Sequence, residues 1–429
     1  VIAHGSDDGS GRGEAYVVFG STGASSSSVE LSGLDGMDRG FRIVGVEGEG
    51  AFESVSFTCD VNGDLKADVL VGVPHASDGS GAVYVVFGGE TYPALGAVLS
   101  LGQQHSCALL SNDWSVKCWG ANREGQLGLG DKEARGDEAN EMGVNLTDVS
   151  VGVGRTAVSV SAGSSFSCAL LDDSSVKCWG ENEDGQLGVG DSSARGDDPG
   201  EMGVELPVVH LGASRSAVFI ASGSSHACAV LDDESVKCWG SNGYGQLGLG
   251  DADKRGVGGA QMGDNLPAVD VGVNRGVKSV AGGRFHTCAV LDDGSVKCWG
   301  YNYDGQLGLG DVLHRGDGSG EMGDALPVVD VGGATSMITA GRHHTCVLLE
   351  NGAVKCWGLN GRGQLGVEDL ESRGDEPNEM GVHLPGVNVG VGRTAVSISA
   401  GYFHTCAVLD DGSVKCWGDN GYGQLGLED

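Results

Sequence analysis

From about residue 98 onward, short apolar, β-branched runs alternate with glycine-rich turns. In one such stretch Cys288 to Leu291 and Ser295 to Trp299 flank Asp292-Asp293-Gly294. Two runs joined by three residues that end in Gly predict a hairpin, with the Gly in the left-handed conformation. Segments of the Val-Val-Asp-Val and Ser-Val-Ser-Ala type supply two more strands. Helical periodicity is absent almost everywhere, and a chain this rich in Gly sustains few helices.

The pattern repeats. Val-Lys-Cys-Trp-Gly occurs six times, at Trp119, Trp179, Trp239, Trp299, Trp357 and Trp417, so successive differences are 60, 60, 60, 58 and 60 residues. The first five units continue through Gly-Gln-Leu-Gly, Arg-Gly-Asp or its equivalent, a Met-Gly pair and a further apolar run, whereas the sixth stops at Leu427-Glu428-Asp429, before its outer strand. Four short strands in a unit of about 60 residues predict a propeller blade. The expected fold class is all-β, a β-propeller of four-stranded antiparallel blades.

Residues 1–97 follow another pattern. Ala15-Tyr16-Val17-Val18-Phe19-Gly20 recurs as Val83-Tyr84-Val85-Val86-Phe87-Gly88. Between the copies lies Asp60-Val61-Asn62-Gly63-Asp64-Leu65-Lys66-Ala67-Asp68, followed by an apolar run from Val69 to Pro74.

The six units, residues 98–429, resemble the repeats of the regulator of chromosome condensation family, in the cysteine-bearing form of bacterial and algal surface proteins. That resemblance implies seven blades, whereas six such hairpins are present. Residues 1–97 resemble the FG-GAP repeat of integrin α-subunits, as one blade and the end of a preceding one. The favoured arrangement is one hybrid ring, in which 1–97 supplies the seventh blade and an N-terminal strand closes the last. The rival is a longer array cut at both ends. The chain starts at Val1 without Met or a leader and reads as a mature form or a fragment.

Charge narrows the partners. There are 26 Lys+Arg against 59 Asp+Glu, a formal net charge of −33. Such a field repels nucleic acid and anionic membranes. Glycine, 79 of 429 residues, follows no three-residue period, which excludes collagen. No apolar run reaches the roughly 18 residues of a membrane helix.

Twelve of the thirteen cysteines fall in pairs: Cys107/Cys118, Cys168/Cys178, Cys228/Cys238, Cys288/Cys298, Cys346/Cys356 and Cys406/Cys416. In the predicted hairpin the two members lie opposite one another, within reach of a disulfide. Metal binding and free buried thiols are the alternatives, but the tight Cys-x-x-Cys spacing of zinc sites is missing. Six disulfides imply an oxidising, extracellular or secretory setting. Cys59 has no partner and reads as a small buried apolar residue.

The side chains of Asp60, Asn62, Asp64 and Asp68, with the carbonyl of Lys66, place oxygen ligands at positions one, three, five, nine and seven of a loop. Crowded hard oxygens suit Ca2+, and the segment is similar to the calcium loop of FG-GAP blades. Leu65 stands where that family usually has Gly. The alternative is a turn rich in solvated Asp.

Arg-Gly-Asp appears at Arg135, Arg195, Arg315 and Arg373, and the fifth equivalent is Arg255-Gly256-Val257. A shared place in the repeat predicts a structural turn rather than integrin-type adhesion. His105, His226, His286, His344 and His404 each precede a paired Cys by two residues, and Phe166 holds that place once. A position that accepts Phe predicts a packed aromatic site, not a ligand. The six Trp are expected to pack between blades. Asn145-Leu146-Thr147 is the N-glycosylation sequon.

No catalytic motif stands out from the repeat. The leading functional reading is a non-enzymatic secreted or surface scaffold, binding protein or glycan and open to self-assembly into fibres. The alternatives are nucleotide exchange on a small GTPase, or an enzyme with a composite site in the propeller mouth. The loops that would specify a partner read as repeat-like and unspecialised.

Overall fold

The computed structural model describes residues 99–110, 114–138, 140–421 and 423–426, and gives the strands of the first 98 residues by backbone alone. Those early strands form two antiparallel sheets. One holds β1 (Ile2–Gly5), β2 (Glu14–Val18) and β3 (Gly40–Val44); the other holds β4 (Ser54–Thr58), β5 (Asp68–Ala76) and β6 (Ser80–Val86).

Six blades follow. Blade one is β7 (Val98–Leu101), β8 (His105–Leu109) and β9 (Val116–Gly120); β4 lies beside its first two strands. Blade two is β10 (Ala157–Ala162), β11 (Phe166–Leu171) and β12 (Val176–Gly180). Blade three is β13 (Ala217–Ser222), β14 (His226–Leu231) and β15 (Val236–Gly240). Blade four is β16 (Val277–Gly282), β17 (His286–Leu291) and β18 (Val296–Gly300). Blade five is β19 (Thr335–Ala340), β20 (His344–Leu349) and β21 (Val354–Gly358). Blade six is β22 (Ala395–Ala400), β23 (His404–Leu409) and β24 (Val414–Gly418).

Each blade is an antiparallel meander whose first strand lines a central channel and whose second and third form the predicted hairpin. In every blade the paired cysteines face each other across that hairpin. Cys107 stands opposite Cys118, Cys168 opposite Cys178 and Cys228 opposite Cys238. Cys288 stands opposite Cys298, Cys346 opposite Cys356 and Cys406 opposite Cys416. All six pairs are bonded, with Cα atoms 4.0–4.1 Å apart. The extra loop residue between Cys107 and Cys118 leaves that facing register intact.

The blades are three-stranded, not four-stranded as expected. The fourth run touches its sheet through one backbone bond, such as Val209 N–H to Val176 C=O at 2.8 Å or Val269 N–H to Val236 C=O at 2.8 Å. Pro207 and Pro267 stand two residues earlier, and each removes the N–H that would extend the ladder. What fastens this outer run instead is the Lys of Val-Lys-Cys-Trp-Gly. Lys237 and Lys297 Nζ donate to the carbonyls of Gly263 and Gly323, both at 2.8 Å. Burial lowers both ammonium pKa values below the ordinary lysine range.

The core lies between blades. One cluster joins Phe166, Val176 and Cys178 of blade two to Ile220, Leu231 and Trp239 of blade three. A polar network repeats at the same seams. The Gln246 carbonyl of blade three accepts the Trp299 indole N–H at 3.0 Å and the Thr287 hydroxyl at 2.8 Å, both from blade four. Gln306 accepts from Trp357 at 2.9 Å and Thr345 at 3.0 Å, and Gln364 from Trp417 and Thr405 at 3.0 Å each. Because the hydroxyl proton is given to the Gln carbonyl, the histidine beside it must donate. His226 Nε2 lies 2.9 Å from Thr287 Oγ1, and His286 Nε2 lies 3.0 Å from Thr345 Oγ1.

The packed-aromatic reading of this position therefore captures burial but misses a hydrogen bond across the seam. The exception is coherent. Where Phe166 replaces His, the facing residue in the next blade is Ala227 rather than Ser or Thr. Both members are buried, so neither leaves an orphaned polar group.

Blade six departs from the others. Strands β20 and β17 are buried throughout, whereas alternate residues of β23 and all of β24 are at least partly exposed. Its cystine is affected too: Cys406 and Cys416 are half-buried, whereas the other ten paired cysteines are buried. Among the described residues no further sheet covers that face.

Burial depresses the seam imidazoles, His226 to about 4 and His286 to about 3. The unfolded chain takes up these protons near pH 6.5, so this stability is complete above that pH and is lost as pH falls toward 4. Melting temperature should fall accordingly between pH 7 and 4. Thr287→Ala, which leaves the His226 donor unpaired, should cost about 1–3 kcal/mol. His226→Phe combined with Thr287→Ala reproduces the Phe166/Ala227 pair. It should restore most of that loss and flatten the pH dependence of melting by about one proton.

Candidate interaction face

Antiparallel connection sends two loops of every blade to one face of the ring and two to the other. The lower face repeats one ion pair in four of the blades, and blade five lacks it, with Asn351 in place of the Asp. Arg155 pairs with Asp173 at 3.0 Å, Arg215 with Asp233 at 2.8 Å, and Arg275 and Arg393 make the matching contacts to Asp293 and Asp411. The Asp carboxylate is also held by Ser175, Ser235 or Ser295 two residues on, which lowers its pKa.

The upper face has a constant frame and variable tips. In the loop after each third strand, an Asn side chain accepts the N–H of the Leu five residues later, as Asn302 does from Leu307 at 2.9 Å. The tips differ. The two residues ahead of the seam position read Gln103-Gln104, Ser164-Ser165, Ser224-Ser225, Arg284-Phe285, Arg342-His343 and Tyr402-Phe403. After the recurring hairpin Gly come Ala121, Glu181, Ser241, Tyr301, Leu359 and Asp419. The expectation of unspecialised loops is thus corrected: specialisation sits at these two tips, and it was legible as departure from the repeat.

Folding gathers the tips of blades three to five into one aromatic cluster, and Arg342 lies over the separate Tyr402–Phe403 pair of blade six. The Tyr301 ring lies 5.0 Å from Tyr244, 5.2 Å from Tyr303, 5.2 Å from His314 and 5.4 Å from His343. Burial raises the Tyr301 phenol above its ordinary pKa. His343 Nδ1 donates to Asp304 Oδ2 at 2.6 Å. Arg284 stacks 4.6 Å over Phe285, and Arg342 lies 4.6 Å over Tyr402. Tyr303 and Leu313 are more than 60% exposed and offer apolar surface beside the cluster. The channel, about 540 Å3, opens among these residues, with Arg284, Arg342 and Tyr402 on its rim.

The other candidate residues are placed as follows. Asp60, Asn62, Asp64, Lys66 and Cys59 lie outside the described residues; Asp68 opens β5. Among the described residues no cluster suited to a metal ion is found. The paired cysteines belong to the frame, not to the interaction face. Cys118, Cys178, Cys238, Cys298, Cys356 and Cys416 sit in the third strands, bonded to Cys107, Cys168, Cys228, Cys288, Cys346 and Cys406 of the second strands. Of these twelve, Cys406 alone lines the channel. Bonding leaves no thiolate for a metal, so the metal and free-thiol alternatives for these pairs are set aside. Asn145 is exposed at the end of a short turn, and its amide donates to the Asn140 carbonyl at 2.8 Å.

The Arg-Gly-Asp tripeptides belong to the seams. Gly316 has φ +90°, and a Cβ there would meet the Gly245 carbonyl oxygen of the preceding blade at 2.7 Å. Its own carbonyl accepts from Gly250 N–H at 2.9 Å. Arg315 is tied to Asp311 at 2.7 Å and to the Leu313 carbonyl at 2.9 Å.

This fold and repeat match the RCC1-like domain family over residues 89–429, and residues 51–86 match the FG-GAP repeat. The chain belongs to the RCC1-like domain family. It is 35% identical over 338 residues to the ultraviolet-B receptor UVR8 of Arabidopsis thaliana, covering 77% of this chain and 66% of that one. Protein pim1 of Schizosaccharomyces pombe is 28% identical, covering 75% and 58%. The chain thus spans less than two thirds of the length of these relatives. Yeast RCC1 (Prp20), crystallised bound to Kap60, has the same fold with TM-score 0.58 at 20% identity, covering 77% of this chain and 72% of that one. Human WBSCR16 also aligns with TM-score 0.58 at 20% identity, covering 88% and 92%.

Gly316→Val adds a β-branched side chain at positive φ against a neighbouring backbone, and should cost about 3 kcal/mol in a denaturant titration. Asp317→Ala should stay within about 0.5 kcal/mol of the native chain.

Proposed function

We propose that this chain is a non-enzymatic, extracellular propeller scaffold that binds a protein partner through the upper face of blades four to six. One observation carries the reading: repeats constant in frame diverge at the tips of one face, and there place exposed aromatic and apolar groups together. Tyr- and Arg-rich patches with apolar neighbours are the composition of interface hot spots. The Kap60 complex of yeast RCC1 gives a protein partner for a relative of this fold. The cystine in each of the six blades and the FG-GAP match at 51–86 favour an oxidising compartment over the cytosolic setting of nucleotide exchange. Among the described residues no helix is long and apolar enough to cross a membrane.

Within this proposal, Asp60, Asn62, Asp64, Asp68 and the Lys66 carbonyl bind Ca2+, supported by the FG-GAP match. Calcium at a hundred times its Kd should stabilise the chain by about 2.7 kcal/mol. Melting with calcium and with chelator should differ, and Asp64→Ala should abolish the difference. An equal shift in the variant would move the cation elsewhere.

The scaffold reading makes two expectations. Alkylation of the native secreted protein after denaturation without reductant should label Cys59 at most. Affinity purification from culture medium and cell surface should retain a protein that Tyr303→Ser with Leu313→Ser loses, and that Val153→Ser with Val391→Ser on the lower face keeps. Twelve free thiols, or capture indifferent to the upper-face substitutions, would defeat it.

A further inference from the structure

We propose that Arg284 and Arg342 together form a receptor for carboxylate side chains, so that the upper face docks an acidic segment of its protein partner. This rests on the scaffold reading above and names the chemistry of its partner.

Thirteen arginines lie between residues 98 and 426. Ten of them contact an Asp carboxylate: Arg135, Arg155, Arg195, Arg215, Arg255, Arg275, Arg315, Arg362, Arg373 and Arg393. Among the described residues, the three without an ion pair to an acid are Arg123, Arg284 and Arg342, and all three stand on the upper-face tips. In a chain with 59 acidic residues, two guanidiniums on neighbouring blades without an ion pair stand out; the nearby Asp304, which acts on Arg342 through its charge, is bonded to His343 instead.

Their environment suits an anion. Each guanidinium lies 4.6 Å over a ring, and an arginine held over an aromatic face can still offer its N–H groups to a bidentate acceptor. Arg342 Nε is buried without a hydrogen-bond partner, and burial pushes the Arg342 pKa below its ordinary value. An incoming carboxylate would meet the terminal guanidinium nitrogens, which unlike Nε are not sealed, and relieve the repulsion between the two cations. The rim that carries them is continuous: Arg284 N–H donates to the Arg342 carbonyl at 3.3 Å, and Arg342 N–H to the Tyr402 carbonyl at 3.2 Å. Blades two and three carry Ser164 and Ser224 at the same place, so the charge is confined to two neighbouring blades.

The same geometry favours a peptide over an acidic sugar. Sugars stack on open aromatic faces, but Tyr301 meets Tyr244, Tyr303 and His343 at 79°, 78° and 78°. The rings cover one another's faces with their edges. What remains open is the apolar shoulder of Tyr303 and Leu313, which suits an apolar side chain next to an acidic one.

The test uses the full chain and three probes at low salt, read by fluorescence anisotropy: a labelled ten-residue peptide of alternating Glu and Leu, its Gln counterpart, and labelled oligogalacturonate. The Glu peptide should bind at least about tenfold more tightly than the Gln peptide, and Arg284→Gln or Arg342→Gln should each weaken it about tenfold. Arg393→Gln on the lower face should leave it unchanged, and melting should confirm that all three variants fold. Equal binding of the Glu and Gln peptides, indifference to both upper-face arginines, or binding of oligogalacturonate alone would overturn the proposal. So would a dimer of the chain, seen by sedimentation, that dissolves in the two arginine variants, because the site would then belong to a second copy. If the purified partner depends on Tyr303 and Leu313 but not on either arginine, the scaffold reading stands and the carboxylate receptor falls. If it ignores all four residues, the scaffold reading falls as well.

Discussion

A single buried backbone carbonyl at each seam holds neighbouring blades in register. A sheet of three strands, each of four to six residues, has two faces and no core of its own. It must be covered on both sides. The glutamine carbonyl of one blade, Gln246 for example, collects the indole N–H and the hydroxyl of the next. A slip of one blade against another would strand those donors in an apolar interior, where an unpaired polar group is costly. The network thereby sets the relative position of blades that apolar packing alone would leave free to slide. Blade six shows the dependence from the other side: with no described sheet over one face, its Trp417 is half-buried, whereas Trp357 and Trp299 are sealed.

The seams also account for residues that would otherwise suggest chemistry. The histidines are held neutral and donate to Ser or Thr across the boundary. Gly196, Gly316 and Gly374 of the Arg-Gly-Asp copies sit where a side chain would collide with the preceding blade, and the Arg is spent on a local Asp. A tripeptide known for adhesion is here a clasp, because its Gly meets backbone rather than solvent. Val257 in the third copy of the motif is tolerated for the same reason: the clasp needs the Arg and the Gly.

A frame fixed by seams and cystines leaves the loop tips free to vary without loss of fold. That freedom is used on one face. The lower tips of four blades repeat the same Arg–Asp pair, whereas the upper tips of blades four to six exchange Ser and Gln for Phe, Tyr, His and Arg. In an RCC1-like ring the position of a tip around the channel is set by its blade number. Substitutions some 40 to 100 residues apart, such as Tyr244 and His343, are therefore brought beside the same Tyr301 ring.

The amino-acid sequence alone determined the repeat, the hairpin and the facing cysteines, since strand alternation and a three-residue turn are local matters set by near neighbours. It also carried the structural reading of Arg-Gly-Asp, through the copy that lacks the Asp. The fourth strand was over-read, because apolar runs such as Val208-Val209 look like strands until the missing Pro N–H is counted against a ladder. The seam bond of His226 to Thr287 was not legible, although the joint change to Phe166 and Ala227 was its trace. Nor was the cluster around Tyr301, or the lack of an ion pair at Arg284 and Arg342. These are relations between blades about 60 residues apart. Only the closure of one blade on the next decides which side chains meet there, and which are left facing outward.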